Sequence, residues 1–232
     1  MDLISEQRIA RRAAILETAR AMIAEVGYDA VKVRDLAVRC RVSVPTLYNQ
    51  FGGKDGVLGA AIEDHFVSVL GGVSLARAEP GFARLLLIVD QIARQLLALS
   101  EYHQRMLEAF MSLNQMLSVQ QRVAAQLTAA IERELLSMHD QRQIVAWAAP
   151  QLIAEQMTSA CINAAVIWSS GLFADTNLAP SIRYTTGLVL LGVLRGKSHE
   201  VLQTRVETAQ KQLVRARAQI ESTRIKRTKG DT

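Results

Sequence analysis

The sequence is poor in cysteine, which excludes two kinds of stabilising site. Cys40 and Cys161 are its only cysteines, and they lie far apart in the chain. They provide neither a disulfide framework nor the CxxC spacing of a metal site. The four histidines show no metal-site spacing either, so we expect them at the surface or with hydrogen-bond partners in the core. A reducing compartment fits this composition, and we expect no metal or other cofactor.

Long hydrophobic runs are absent as well. A membrane-spanning helix needs about 20 mostly apolar residues, whereas the closest candidate, GLVLLGVL at 187–194, lies between Arg183 and Arg195. The first ten residues include Asp2 and Glu6, so no secretory signal is visible there. We therefore expect a cytoplasmic protein with no membrane partner.

The motifs of common enzyme classes are also missing. The sequence contains no GxSxG nucleophile elbow, no HExxH zinc motif, no P-loop and no dinucleotide-binding fingerprint. The few histidines are not paired with a plausible catalytic cysteine or serine by any known motif. An enzyme is therefore disfavoured.

Charge, in contrast, is present and unevenly distributed. The net charge is +5, with 9 basic and 7 acidic residues in 1–60, 8 and 11 in 61–194, and 10 and 4 in 195–232. Both ends are basic and the middle is slightly acidic. Basic ends suit a polyanionic partner, most obviously nucleic acid, although a basic tail is just as often a solvated one.

Apolar residues follow a helical pattern along almost the whole chain. They make up half of the residues and can bury a substantial core. The first helix carries this spacing from Ile9 to Val26 and ends at Gly27. No convincing alternating strand pattern interrupts the later helices, so the predicted fold class is all-α. Those helices are predicted at 33–40, 44–51, 55–70, 83–99, 102–117, 119–138, 145–170 and 181–195.

Two of the predicted helices, 33–40 and 44–51, are short and separated by only three residues, RVS. Ser43 is well placed to cap the second helix. Pro45 is tolerated there because its missing N–H falls in the first turn, where no intrahelical partner exists. Two short helices joined by a tight turn and braced by a third have the geometry of a helix-turn-helix.

The second short helix has two different flanks. Leu47 and Phe51 lie one turn apart and can anchor it on the first helix. The other flank is not needed for anchoring and is free to contact a partner; it carries Val44, Pro45, Tyr48 and Asn49.

Residues 5–60 resemble the DNA-binding domain of the TetR family of bacterial transcriptional regulators. EVGYDAVKVRDLA is followed by RVSVPTLYNQFGGKDGVL, which is similar to the family pattern Val-Ser-x-(Gly/Pro)-Thr-Leu-Tyr-x-x-Phe-x-x-Lys-(Glu/Asp)-x-(apolar)-Leu. The resemblance covers about one quarter of the chain. Three positions depart from it: Lys32 replaces a capping Thr, Arg41 replaces the common Gly of the turn, and Gln50 replaces a frequent His or aromatic.

The chemistry of each side chain suggests its role on DNA. Thr46 and Tyr48 have hydroxyls that can reach phosphates, and Lys54 adds a cation at the start of the next helix. The remaining candidates would contact bases or the DNA backbone: Ser43 at the cap of the helix, Asn49 and Gln50 through amides that pair with adenine, and Val44 and Pro45 against a thymine methyl.

Arg34 has two open interpretations. The resemblance places a base-reading or phosphate-binding residue at its position, and a guanidinium can bind guanine through two hydrogen bonds. A phosphate contact or a surface ion pair with Asp29 or Asp35 is an equal alternative.

The resemblance further implies a larger helical bundle that binds an effector and dimerises. Segments 161–173 and 181–196 are similar to the last two helices of that bundle. Two recognition helices related by a dyad read half-sites about 34–36 Å apart, which requires a dimer. The alternative is that these helices only complete the core of one chain. The predicted interface consists of Ala160, Ala164, Ala165, Trp168, Gly187 and Leu191.

An effector pocket is harder to place. Methionine and aromatic side chains adapt to irregular cavities, so a largely apolar small molecule is the expected effector. Ordinary core packing is the alternative for each of these residues. The candidates are Met106, Phe110, Met111, Trp147 and Met157.

The tail carries a possible helical seam. Apolar and small residues recur by four and three from Leu202 through Val206, Ala209, Leu213, Ala216, Ile220 and Thr223. The tail could pack on a partner subunit, present basic residues to DNA, or remain a solvated helix.

The predicted domains are 1–54 (helix-turn-helix), 55–196 (effector binding and dimerisation) and 197–232 (basic extension).

The sequence thus predicts a homodimeric repressor that binds an inverted repeat in double-stranded DNA and is released by a small molecule. An architectural DNA-binding protein without an effector is the alternative. Weak sequence preference with strong salt dependence would favour that alternative.

Overall fold

The computed structural model describes residues 3–71, 78–112 and 117–230. Within these ranges the chain forms α-helices and one isolated backbone bridge, between Ile144 and Leu194, but no strand. The all-α prediction is confirmed. None of the described helices is both long enough and apolar enough to span a membrane. The helices are α1 (Leu3–Val26), α2 (Val33–Arg39), α3 (Val44–Phe51), α4 (Lys54–Gly71), α5 (Phe82–Ala98), α6 (Ser100–Ser112), α7 (Leu117–Asp140), α8 (Pro150–Ser169), α9 (Asp175–Leu191) and α10 (Gly196–Gly230).

The chain divides into two compact units. The first consists of Met1–Gly72 and Leu99–Gln126, and the second of Val73–Ala98 and Leu127–Thr232. In the first unit α1 packs on both α4 and α6. The functional division into three domains stays a prediction.

The core of the first unit explains how α2 and α3 are supported. Ile15 and Ile23 of α1 and Leu58 and Ile62 of α4 are all fully buried. Burial of one such side chain contributes about 1.5–3 kcal/mol. Leu47 of α3 adds to this core, so the short α3 is held by packing on longer helices.

The predicted start of the 145–170 helix is wrong. The structure begins α8 at Pro150, which occupies the first turn where its missing N–H costs nothing. The preceding residues are held differently, because the Val145 N–H donates to the Val193 carbonyl at 2.9 Å. That backbone pairing competes with helix formation before Pro150.

The start of the 181–195 helix is also wrong. α9 begins at Asp175, so Pro180 lies inside the helix rather than before it. The indole N–H of Trp168 donates to the Asp175 carboxylate at 2.8 Å, which fixes the first turn of α9 against α8. A proline at this position removes only one backbone hydrogen bond, to Thr176, and packing on the neighbouring helices offsets that loss.

The tail is one long helix whose first half packs within its own chain. α10 lies against α9, with Leu202, Val206 and Ala209 buried. Gly187 of α9 allows this close approach, since a Cβ there would lie 2.3 Å from Val206 Cγ2. The predicted seam is therefore intramolecular over these positions. The side chains of Ile220 and Thr223 lie outside the described residues.

One histidine differs from the prediction, because it is buried without a hydrogen-bond partner on Nε2. His65 packs its ring against Phe66, Tyr102 and His103, with ring centroids 5.0–5.2 Å apart. Burial, together with the nearby charges of His103 and Arg20, lowers the pKa of His65 to about 4. His65 is therefore neutral in the folded protein at pH values where an unfolded histidine is already protonated.

We expect this burial to make the protein acid-sensitive. Since the unfolded state binds the extra proton, stability should fall as the pH drops from about 6.5 towards 4. In His65→Leu the free energy of unfolding should fall by about 2 kcal/mol less than in wild type over this pH range. Urea unfolding at pH 7 and pH 4.5 measures the difference, with His199→Leu as the control. An equal loss in wild type and His65→Leu would contradict the assignment.

Candidate nucleic-acid interface

The turn between α2 and α3 is held by backbone hydrogen bonds. The Cys40 N–H donates to the Leu36 carbonyl at 2.9 Å, and the Val42 N–H donates to the Ala37 carbonyl at 3.0 Å. Arg41 lies between them with a φ of +54°, the left-handed region that glycine adopts at least cost. The position where the family commonly has Gly thus keeps the glycine-like backbone conformation despite carrying arginine.

Both ends of α3 are capped. The Ser43 Oγ accepts a hydrogen bond from the Thr46 N–H at 3.2 Å, which confirms the predicted cap. The C-terminal cap is Gly52, whose φ is +80° and whose N–H donates to the Tyr48 carbonyl at 2.8 Å. α2 is different, because Lys32 at its N-terminus makes no side-chain capping bond. The departure at Lys32 therefore leaves α2 without a side-chain cap, whereas α3 is well defined.

The two flanks of α3 differ as predicted. Leu47 is fully buried, whereas Tyr48 is 52% exposed and Pro45 and Asn49 are also exposed. The half-buried candidates on this helix are Val44, Thr46 and Gln50. α3 therefore presents one continuous set of polar and small apolar side chains away from its anchor.

Neighbouring residues fix the orientation of the two aromatic rings of α3. The Tyr48 ring rests on Gly53, where a Cβ would lie 3.2 Å from the ring atom Cε1. The guanidinium of Arg12 lies over the Phe51 ring, 4.8 Å from the ring centroid. A cation–π contact of this kind is worth about 0.5–1 kcal/mol at an exposed site, so α1 helps to hold the C-terminal end of α3.

Lys54 is the first residue of α4, but its ammonium group already has partners. The Nζ donates to the Asp29 carbonyl at 2.9 Å and lies 5.4 Å from the centroid of the Tyr28 ring. The Tyr28 hydroxyl in turn donates to the Asp55 carboxylate at 2.9 Å. Burial, followed by this bond and the charge of Asp55, raises the pKa of Tyr28. Lys54 thus ties the α1–α2 connection to α4, and its phosphate contact stays a prediction.

Arg34 is exposed in the first turn of α2. It forms no ion pair with Asp29 or Asp35 within the described residues. A nearby arginine of the same helix, Arg39, does form one, with Glu25 at 2.7 Å. Of the two interpretations of Arg34, the surface ion pair therefore has no support, and a DNA contact stays the prediction.

Sequence reasoning missed a basic cleft beside α3. Arg8 and Arg12 are one turn apart on α1 and line a cleft of about 350 Å³ together with Asn49 and Gln50 of α3, Ser5 and Ile9. The Oε1 atom of Gln50 is buried without a hydrogen-bond partner. The repeated arginine at i and i+4 is the sequence signal that could have indicated this cleft.

The predicted pocket residues are divided between the two units. Met106 and Phe110 are buried in the first unit, while Met111 is exposed. Met157 is buried in the second unit, whereas Trp147 is 76% exposed in a turn. Burial of Met106 and Phe110 fits the core-packing alternative, whereas Met157 is buried and also lines a narrow slot of about 10 Å³ in the second unit. The effector pocket stays a prediction. The described residues include no group of three or more His, Cys, Asp or Glu that could hold a metal.

The predicted interface residues are mostly covered within their own chain. Ala164, Ala165, Trp168 and Gly187 are buried, and Ala160 and Leu191 are half-buried. The Trp168 side chain leaves no surface for a partner, because it is fully enclosed and bonded to Asp175. Trp168 and Gly187 thus belong to the core of one chain, and a dimer interface on α8 and α9 stays a prediction.

Comparisons with known proteins agree with this geometry. Residues 15–61 match the family model of bacterial regulatory proteins, tetR family. The HTH-type transcriptional repressor KstR of Rhodococcus jostii (strain RHA1) is 35% identical over 96 residues, which are 40% of this chain and 44% of KstR. The match therefore spans less than half the length of that relative.

Two solved structures are similar over most of the chain. A TetR-family regulator from Mesorhizobium loti MAFF303099 has a TM-score of 0.61 and 15% identity, covering 81% of this chain and 98% of that one. SmeT, the repressor of the Stenotrophomonas maltophilia multidrug efflux pump SmeDEF, has a TM-score of 0.61 and 17% identity, covering 81% and 92%. SmeT is also known as a complex with triclosan, which matches at a TM-score of 0.60 and 18% identity, covering 82% and 94%. The helix-turn-helix of this chain thus lies within residues that match the tetR family of bacterial regulatory proteins, and its fold is similar to that of solved regulators of this family.

Proposed function

We propose that the protein is a homodimeric repressor that binds an inverted repeat in double-stranded DNA and is released by a small-molecule effector. One observation carries the proposal. α3 is anchored by the buried Leu47, whereas Pro45, Tyr48 and Asn49 project with no side-chain hydrogen bond inside the described part of the chain. A short helix of this kind suits the major groove, where base edges and phosphates can satisfy these groups.

The short length of α3 is the reason for proposing a dimer. An eight-residue helix reaches only a few base pairs, so a specific site requires a second copy on a neighbouring half-site. A symmetric pair would select an inverted repeat. Such a regulator would act in the cytoplasm, where bacterial DNA lies.

The names of relatives support repression and an effector. KstR is named a transcriptional repressor, SmeT is the repressor of an efflux pump, and SmeT forms a complex with triclosan, a small molecule. By analogy, an effector that binds one conformation better than the other would shift this protein away from its operator. Release requires that the effector bind the conformation with low DNA affinity more tightly than the DNA-binding conformation.

The proposal can be tested by selecting bound fragments of the source genome with the full-length protein. A recurrent inverted repeat, bound far more tightly than random DNA, is expected. Uniform and steeply salt-dependent binding to every fragment would instead indicate an architectural DNA-binding protein. Failure to bind any fragment would contradict the proposal.

The basic cleft provides a separate test of how the protein sits on DNA. If Arg8 neutralises one phosphate per subunit, Arg8→Gln should flatten the slope of log affinity against log salt concentration by about 1.8 for a dimer. The loss should be similar on the operator and on random DNA, because phosphates carry no sequence information. Fluorescence anisotropy between 50 and 200 mM salt (about the range over which this effect is large) measures the slope.

Arg133→Gln is the matched control for this test, since Arg133 is exposed on α7 and lies outside the cleft. An equal slope for wild type, Arg8→Gln and Arg133→Gln would show that the cleft does not receive a phosphate.

A further inference from the structure

A charged cluster in the second unit joins three helices. Asp90 of α5 accepts a hydrogen bond from Arg183 Nε of α9 on Oδ1 and another from Arg205 Nη2 of α10 on Oδ2, both at 2.7 Å. One carboxylate therefore faces two guanidinium groups, which leaves one positive charge in excess. None of the residues predicted from the sequence belongs to this cluster.

The cluster opens onto a groove of about 290 Å³. Asp90, Arg183 and Arg205 line it together with Thr204, Thr208, Ala209 and Gln212. The side chains of Arg183 and Arg205 are about one third exposed, at 35% and 36%, whereas that of Asp90 is 17% exposed. The positive groups are thus more accessible than the carboxylate that partly neutralises them.

Both arginines have donors to spare. Each guanidinium has five N–H groups in a rigid plane, and within the described residues the hydrogen bonds of each go only to Asp90. This planar arrangement matches the two oxygens of a carboxylate or phosphate. Thr204 and Thr208 contribute less, because their hydroxyls already donate to the carbonyls of Glu200 and Thr204.

The dimensions of the site limit the size of a ligand. A groove of about 290 Å³ lies at the lower end of small-molecule sites, which are about 300–1,000 Å³. A narrow apolar slot shares Arg183 and Arg205 with the groove and is lined by Leu85, Val89 and Leu202 among others. It holds only about 10 Å³, roughly the space of one water. A long hydrocarbon chain therefore does not fit without rearrangement.

We propose that this groove binds a compact anion bearing a carboxylate or phosphate group, held by Arg183 and Arg205 in competition with Asp90. The ligand would replace the internal carboxylate and release α5 from its shared link to α9 and α10. If the protein is the regulator proposed above, the anion would be its effector. Only this regulatory consequence rests on the proposed function. Binding itself can be measured without DNA.

Asp90 is a strong competitor because it is ionised. Burial alone would raise the pKa of Asp90, but the hydrogen bonds and charges of Arg183 and Arg205 lower it below its ordinary value. Removing this charge while keeping the shape of the side chain should leave both guanidinium groups available to an external anion.

The test is calorimetric titration of the full-length protein with inorganic phosphate, citrate and glucose 6-phosphate at constant ionic strength. Glucose serves as the uncharged match. Asp90→Asn is expected to bind the anions about tenfold more tightly than wild type, and Arg205→Gln about tenfold more weakly. Arg205→Lys keeps the charge but loses the planar pair of donors, so it should weaken binding several-fold. Arg215→Gln, an exposed arginine of α10 outside the groove, is the matched control.

The outcomes separate the sources of the anion. Equal binding of phosphate and glucose 6-phosphate would identify free phosphate as sufficient, whereas a preference for the ester or citrate would identify an organic anion. No anion binding by Asp90→Asn, or equal binding by wild type and both Arg205 variants, would overturn the proposal. DNA binding is measured on the same samples, so that a failure of the proposed DNA-binding function can be distinguished from a failure of anion binding.

Discussion

Replacing Gly56 with alanine is expected to destabilise the protein and to abolish specific DNA binding. Gly56 is the third residue of α4, and a Cβ there would lie 1.6 Å from the Phe51 carbonyl oxygen and 2.7 Å from the Phe51 carbonyl carbon. Both are backbone atoms, so no rotation of a side chain can relieve the overlap. α3 must move away from α4, and forced displacement of this kind costs about 3 kcal/mol or more.

The loss should reach DNA binding because Phe51 is the last residue of α3. A shift of its carbonyl changes the angle at which Tyr48 and Asn49 leave the helix. Urea unfolding and titration with the selected operator measure the two effects on the same sample. Gly192→Ala is the control, since a Cβ at Gly192 meets nothing nearer than the Val189 carbonyl at 3.9 Å. A Gly56→Ala variant with wild-type stability and affinity would show that this close approach is unimportant.

Local sequence signals predicted the helix-turn-helix well because its determinants are close together in the chain. Ser43 caps α3 through a residue three positions away, and Leu47 and Phe51 follow helical spacing. The need for glycine at position 56 is different, because it depends on the approach of α4 to the end of α3. Spacing alone does not show which glycine such a contact requires.

The two prolines after residue 140 were both misplaced by the sequence prediction. Pro150 begins a helix, as the local rule for a first turn allows, although the predicted helix 145–170 placed it inside; Pro180 lies inside a helix although it was predicted to precede one. A tertiary contact decides the second case, because the bond between Trp168 and Asp175 starts α9 earlier. Packing that compensates for one lost backbone bond cannot be seen in a list of residue types.

Long-range contacts also explain the sites that the sequence did not reveal. Asp90 meets Arg183 and Arg205 across separations of 93 and 115 residues. Met106 and Phe110 have the composition of a pocket wall, yet each is buried in the core of the first unit. Composition predicts that such residues are buried, whereas only the fold decides whether they line a cavity or fill one.

Tyr48→Phe should weaken operator binding by about 100-fold or more. The substitution leaves the ring against Gly53 and therefore keeps α3 in place while removing only the hydroxyl. A hydrogen bond to a charged group contributes about 1.5–3 kcal/mol. A dimer makes the contact twice, so the total is about 3 kcal/mol or more.

The salt dependence distinguishes this contact from that of Arg8. A neutral hydroxyl releases no counterions, so Tyr48→Phe should lower affinity equally at every salt concentration, whereas Arg8→Gln should change the slope. The same loss is expected on random DNA, because a phosphate contact positions the protein without reading bases. Fluorescence anisotropy with operator and random duplexes measures both, and Tyr184→Phe on α9 is the control. If Tyr48→Phe loses affinity for the operator but not for random DNA, the hydroxyl contacts a base, and if it loses neither, α3 does not enter the groove by this flank.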